Sequence, residues 1–152
     1  LVQAALKAQR FDMDFWKIAM RPGKPLMFAA RDRARVLGLP GNPVSTMVCA
    51  LLFLKPALER MLGQPGDLPR TQPARLAVDV KPNDQREDYV RSRLGRAPDG
   101  RLTVDPHPVQ DSSMLSVLAA CDGLMIRPPH DPARKAGDTV PVVDLATLPG
   151  GY

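Results

Sequence analysis

Two proline–glycine turns, Arg21-Pro22-Gly23-Lys24-Pro25 and Leu39-Pro40-Gly41-Asn42-Pro43, fix where the first half of this chain must reverse. Proline locks φ and removes a donor, and glycine opens conformations closed to other residues. Regular structure before, between and after these turns is therefore short and bounded. Apolar Phe11, Met13 and Phe15 alternate with polar or bulky neighbours, which predicts a strand over Phe11–Met20 stopped by Pro22. Leu26–Ala30 and Arg35–Leu39 read as a hairpin around the polar turn at residues 31–33. Asn42 is a good N-cap and Pro43 suits a first helical position. The spacing of Val44, Met47, Val48, Leu51 and Leu52 then predicts a helix over Pro43–Leu62, kinked or broken near Leu54 by Pro56 and ended by Gly63. Residues 1–9 read as an amphipathic helix. It begins without methionine or cap, as if inside a larger protein.

Residues 64–73 hold three prolines and a glycine and read as a linker between domains. The texture then changes. Strands are expected over 75–80, 88–97, 102–104, 121–127 and 139–143, with a short helix over Met114–Ala120 that turns Leu115 and Leu118 inward. Short strands at near-regular spacing predict a small β-barrel. The expected organisation is an α/β part over 1–63, the linker 64–73, and a β-barrel domain over 74–152. The two lobes should meet near the linker, with no sheet continuous across it.

Composition narrows the function classes. A formal net charge of +5 is compatible with nucleic acid, but the basic residues are scattered and only 5% of residues are aromatic. An anionic small molecule explains the charge as well. No apolar run approaches the roughly 20 residues of a membrane span. The cysteines Cys49 and Cys121 lie in apolar settings and read as buried, reduced thiols, so a cytoplasmic protein is expected. His107 and His130 have no metal-ligand spacing, and no phosphate-binding glycine loop or serine nucleophile elbow is present.

Chemistry concentrates at the two turns. Lys17, Arg21 and Lys24 can either converge on a phosphate or tetrahedral oxyanion, or remain solvated surface cations. Gly41 lets backbone approach a ligand, and the helix start with Ser45 either faces an anion or is an ordinary capped helix. In the second half, Asp111-Ser112-Ser113 reads first as a helix cap.

The motifs Lys17-Ile18-Ala19-Met20-Arg21-Pro22-Gly23-Lys24-Pro25 and Gly38-Leu39-Pro40-Gly41-Asn42-Pro43-Val44-Ser45 closely resemble those of the MoeA family, the molybdopterin molybdenumtransferases, also found as the E domain of gephyrin. The resemblance continues at residues 86–91 and 112–115. It implies the end of a third, α/β domain and a fourth, β-barrel domain of a multi-domain homodimer. It further implies insertion of molybdate into adenylylated molybdopterin with magnesium assisting, the metal ligands lying outside this chain. Carried over by position, Lys17 and Arg21 take catalytic roles, and Pro22, Lys24, Gly41, Asn42, Ser45, Arg86 and Ser112 bind substrate. Arg21 departs from the lysine common in the family, and Asp111 from a common glycine. Taken alone, the chain is expected to bind oxyanions weakly without catalysing insertion. The alternative reading is a non-catalytic peptide- or partner-binding module of gephyrin-like type. A nucleic-acid partner ranks last.

Overall fold

The structure, a computed structural model, describes residues 1–147 of the 152-residue chain, so the expected end of the barrel domain at 148–152 lies outside the described residues. Helix α1 (Val2–Ala8) leads into β1 (Asp12–Phe15), β2 (Met20–Arg21) and the hairpin β3 (Met27–Arg31) and β4 (Ala34–Gly38). A helical segment follows as α2 (Pro43–Cys49), a π turn (Ala50–Leu54) and α3 (Lys55–Met61). The second half holds β5 (Thr71–Leu76), β6 (Glu87–Arg96), β7 (Leu102–Pro106), α4 (Leu115–Ala119), β8 (Gly123–Arg127), β9 (Thr139–Asp144) and a final 3-10 turn.

The strands make two sheets. β1, β3 and β4 form an antiparallel sheet in that order. β6-β7-β5-β9-β8 close back on β6, giving the expected small barrel. The expected strand over residues 11–20 is divided: β1 stays with the hairpin, while β2 pairs in parallel with β6, Met20 opposite Glu87 and Arg21 opposite Asp88. The barrel sheet therefore recruits residues from before the linker, contrary to the expectation of no shared sheet. Pairing of so short a strand depends on a partner edge far along the chain, which local alternation cannot reveal.

Three smaller differences have local causes. β5 begins at Thr71, inside the expected linker, and contains Pro73, which stands opposite Pro141 of β9. Proline ordinarily argues against a strand interior, but two facing prolines spare each other any inward donor. The irregularity expected near Leu54 is present, but as a π turn rather than a break at Pro56. The wider π turn just before it takes up the missing donor and the clash with the preceding turn. In α4, Val117 and Leu118 turn inward, whereas Leu115 is exposed.

Two apolar clusters hold these elements. One fills the barrel with Ala74, Leu76, Val104, Met125, Val140 and Val142. The other joins Met20, Leu26, Val44, Val48, Cys49 and Leu52 to Leu124 and Val143 on the barrel's outer face. β8 thus buries both faces, Leu124 outward and Met125 inward, as strand alternation requires. Each fully buried Leu or Val contributes about 1.5–3 kcal/mol, so this second cluster binds the halves together. Both cysteines are buried and unpaired, and burial pushes the Cys49 thiol up to about 11.

The turn between β2 and β3 is pinned against this cluster. Gly23 has φ +129°, and a Cβ there would lie 2.7 Å from Cys49 Sγ and also strike Met20. Gly23→Ala is expected to destabilise the chain by at least about 2 kcal/mol, from backbone strain plus overpacking. Urea unfolding checks this, with Gly100→Ala, strained but in open space, as the comparison.

Candidate functional site

A cleft of about 310 Å³ opens at the polar end of the second cluster. Its walls come from separate segments: the loop Met20–Pro25, the turn Pro40–Asn42 with Ser45 of α2, and Arg86, Gln110 and Ser112 of the second half. Of the residues picked out in sequence, Arg21, Pro22, Lys24, Gly41, Asn42, Ser45, Arg86 and Ser112 all line it. Lys17 does not. It is exposed, with its ammonium 3.9 Å above the Trp16 ring, because the expected strand ends before it.

Its two arginines are held by acids. Arg21 donates from Nε to Asp88 Oδ1 at 2.7 Å and from Nη2 to Asp88 Oδ2, while Nη1 reaches Asp84 Oδ2 at 3.3 Å. Arg86 donates from Nη2 and Nε to the two oxygens of Asp84, at 2.7 and 3.3 Å. Hydrogen bonds from Arg86 side chain and backbone, with the charge of Arg21, hold the Asp84 carboxyl down to about 2. Being depressed in the folded state, it stabilises the fold above its ordinary 3.8, and that stabilisation is lost as pH falls through about 2. Both arginines thus present to the cleft charges that are already partly balanced. Lys24 is the cleft cation for which no such pairing is formed among the described residues.

The start of α2 is not the amide cradle the sequence suggests. Pro43 has no amide hydrogen, and the Val44 amide donates to the Ser112 carbonyl at 3.4 Å. Asn42 makes no side-chain cap either. Thr46 instead closes the turn, its hydroxyl donating to the carbonyls of Pro40 and, at 2.9 Å, Asn42. The Asn42 Oδ1 is left buried without a partner, as an acceptor in the cleft wall. Pro43 and Val44 thus offer no free amide to the cleft, and side chains make most of its wall.

Sequence reading missed two residues. Gln110 lines the cleft and bonds both the amide and the carbonyl of Arg91, at 3.0 Å each. It fills the edge of β6 between the stretches taken by β2 and β7. Arg91 lies behind it on β6, on the face that carries Tyr89 toward the inter-half cluster. Arg91 is 1% exposed, and its Nε and Nη2 have no partner. Burial pushes its affinity for a proton down, opposed by the nearby Cys121 and Asp111. A buried, unpaired guanidinium is costly unless an anion answers it. The sequence signal was an arginine at an inward position of an alternating strand, masked by the other basic residues around it.

The comparisons with known proteins bear on the family and the fold. The family description "MoeA C-terminal region (domain IV)" matches residues 73–145, and "Probable molybdopterin binding domain" matches residues 2–60. The molybdopterin molybdenumtransferase of Synechococcus elongatus is 38% identical over 149 residues, covering 95% of this chain and 34% of that protein. That of Haemophilus influenzae is 29% identical over 139 residues, covering 91% and 34%. The chain thus spans about a third of the length of these curated relatives. The solved molybdopterin biosynthesis MoeA protein from Pyrococcus horikoshii superposes with a TM-score of 0.71 at 25% identity, over 93% of this chain and 34% of that one.

Two substitutions separate site from scaffold. A Cβ on Gly41 would meet nothing within 4 Å, so the fold has no need of glycine there. Gly41→Ala is expected to leave the thermal midpoint unchanged or slightly raised, by up to about 1 kcal/mol, while weakening oxyanion binding measured by calorimetric titration. Arg91→Met, which removes a buried guanidinium whose Nε and Nη2 lack partners, should raise stability in urea unfolding. A drop in stability would mark Arg91 as a structural residue.

Proposed function

The chain belongs to the MoeA family, and from that premise we propose that it forms the molybdate-facing part of a molybdopterin molybdenumtransferase acting in molybdenum cofactor biosynthesis. The observation that carries this reading is the convergence of Lys24, Ser45, Arg86 and Ser112, from both halves of the chain, on one cleft. The substrates are adenylylated molybdopterin and molybdate, which is inserted into the dithiolene. Molybdate is a tetrahedral dianion, and cationic and hydroxyl donors on opposing walls suit it by charge-assisted hydrogen bonds. Lys24 supplies mobile positive charge. Arg86 exchanges the rim carboxylate Asp84 for the incoming anion. Ser45 and Ser112 donate from opposite walls, and Asn42 Oδ1 accepts from any donor group of the bound substrate. Lys17 adds positive charge on the segment leading into the loop. Placing the oxyanion against a second reactant in this way supplies a large share of such a reaction's acceleration.

Magnesium is part of the proposed reaction, but the residues present do not fit it. Among the described residues no group of three His, Cys, Asp or Glu could hold a metal, and Asp84 and Asp88 are engaged by arginines. A homodimeric, cytoplasmic enzyme is proposed with the activity; no helix of the described residues is long and apolar enough to cross a membrane.

The test supplies adenylylated molybdopterin, molybdate and magnesium and measures reconstitution of an apo-molybdoenzyme. The 152-residue chain is expected to bind molybdate weakly and to catalyse no insertion by itself. In a protein of the relatives' full length, Arg86→Ala is expected to lower incorporation at limiting molybdate by up to about a hundred- to a thousandfold, the range for losing one electrostatic donor. Unchanged incorporation would remove Arg86 from the site, and full activity of the short chain would overturn the division of labour.

A further inference from the structure

Of the arginines lining the cleft, Arg21 has the least to offer a ligand. A guanidinium presents five N–H donors in a planar fork. The Nε and Nη2 edge of Arg21 is taken by both oxygens of Asp88, Nη2 also reaches Asn83 Oδ1 at 3.4 Å, and Nη1 reaches Asp84. The bidentate edge that would receive an oxyanion is occupied. The two acids differ in how readily they would yield. The Asp84 side chain is 36% exposed and sits at the rim, where ion pairs are weak and exchange with solutes. That of Asp88 is 10% exposed, and removing its partner would leave a buried carboxylate unpaired.

Arg21 and Asp88 also stand in register across the parallel pair β2–β6, one on each side of the seam between the halves. The next residues of the first strand are the Pro22–Lys24 wall of the cleft, and Arg86 immediately precedes β6. Any change in the Arg21–Asp88 distance changes the separation of those walls. A lysine, a point charge without a fork, would not hold this geometry in two bonds.

Building on the oxyanion reading of the cleft, we propose that Arg21 is a positioning residue: its ion pair with Asp88 clamps β2 to β6 and sets the cleft width, and the oxyanion is taken by the other wall groups.

The experiment uses the 152-residue chain with Arg21→Met, Asp88→Leu, the double variant and the milder Asp88→Asn. Molybdate is titrated calorimetrically, and urea unfolding is followed without ligand. Each single change is expected to weaken molybdate binding about tenfold and to lower the unfolding midpoint, and the double to lose little more affinity than either single, as two residues acting as one unit do. Loss of binding in Arg21→Met with affinity kept or raised in Asp88→Leu would overturn the proposal. So would tighter binding by Asp88→Asn, which frees the fork. Should the parent chain take up no molybdate, the oxyanion reading fails, and the unfolding data decide the clamp alone: additive midpoint losses overturn it, and recovery in the double supports it.

Discussion

The outer face of β8 and β9 is apolar, and it is covered by the helix that begins at Pro43. Leu124 and Val143 of the barrel share one buried cluster with Val44, Val48 and Leu26 of the first half. Leaving that face in water would forfeit about 25 cal/mol for every Å² of apolar surface. The rest of the molecule follows from this contact. It fixes α2 against the barrel, brings the turn at Pro40–Asn42 beside Ser112, and leaves β2 close enough to join β6.

The cleft is the polar margin of that contact. Where the apolar cluster ends, the chain places cations, hydroxyls and an unpartnered amide oxygen instead of more hydrocarbon. Its charges are not equivalent. Arg86 and Asp84 form a rim pair open to solvent and Arg21 and Asp88 a half-buried pair across the seam, while behind the wall Arg91 is a buried cation whose Nε and Nη2 have no hydrogen-bond partner. Electrostatics in such a site depend less on the number of cations than on which are already answered. An exposed pair exchanges cheaply with a solute, a buried pair does not, and a buried orphan carries a standing cost that a bound anion relieves.

Gln110 illustrates how closely backbone and site are joined. Its side-chain amide satisfies the N–H and C=O of Arg91 on the edge of β6 opposite β8, between the stretches taken by β2 and β7, so a residue of the cleft wall completes the barrel's hydrogen bonding. The same segment carries Ser112, whose carbonyl receives the first amide of α2 that has a hydrogen to give. Loop, barrel and helix start thus share their polar groups at the one place where ligand groups also gather.

The sequence by itself determined most of the local elements and, Gln110 and Lys17 apart, the residues of the cleft wall that carry chemistry. Alternation, helical spacing and proline–glycine punctuation are short-range signals, and they located the hairpin, the helix after Asn42 and the strands of the barrel. The paired motifs around Pro22 and Pro40, through their resemblance to one family, pointed to the residues that line the cleft. Tertiary structure alone decided what those residues touch. The division of the segment 11–20 between two sheets, the proline-bearing strand β5 and the engagement of Arg21 depend on partners tens of residues away, and the burial of Arg91 and the exposure of Leu115 and Lys17 on what the folded chain covers. A strand edge, an ion pair and a desolvated charge are defined by what lies across a gap in space, and a one-dimensional pattern contains no term for that distance.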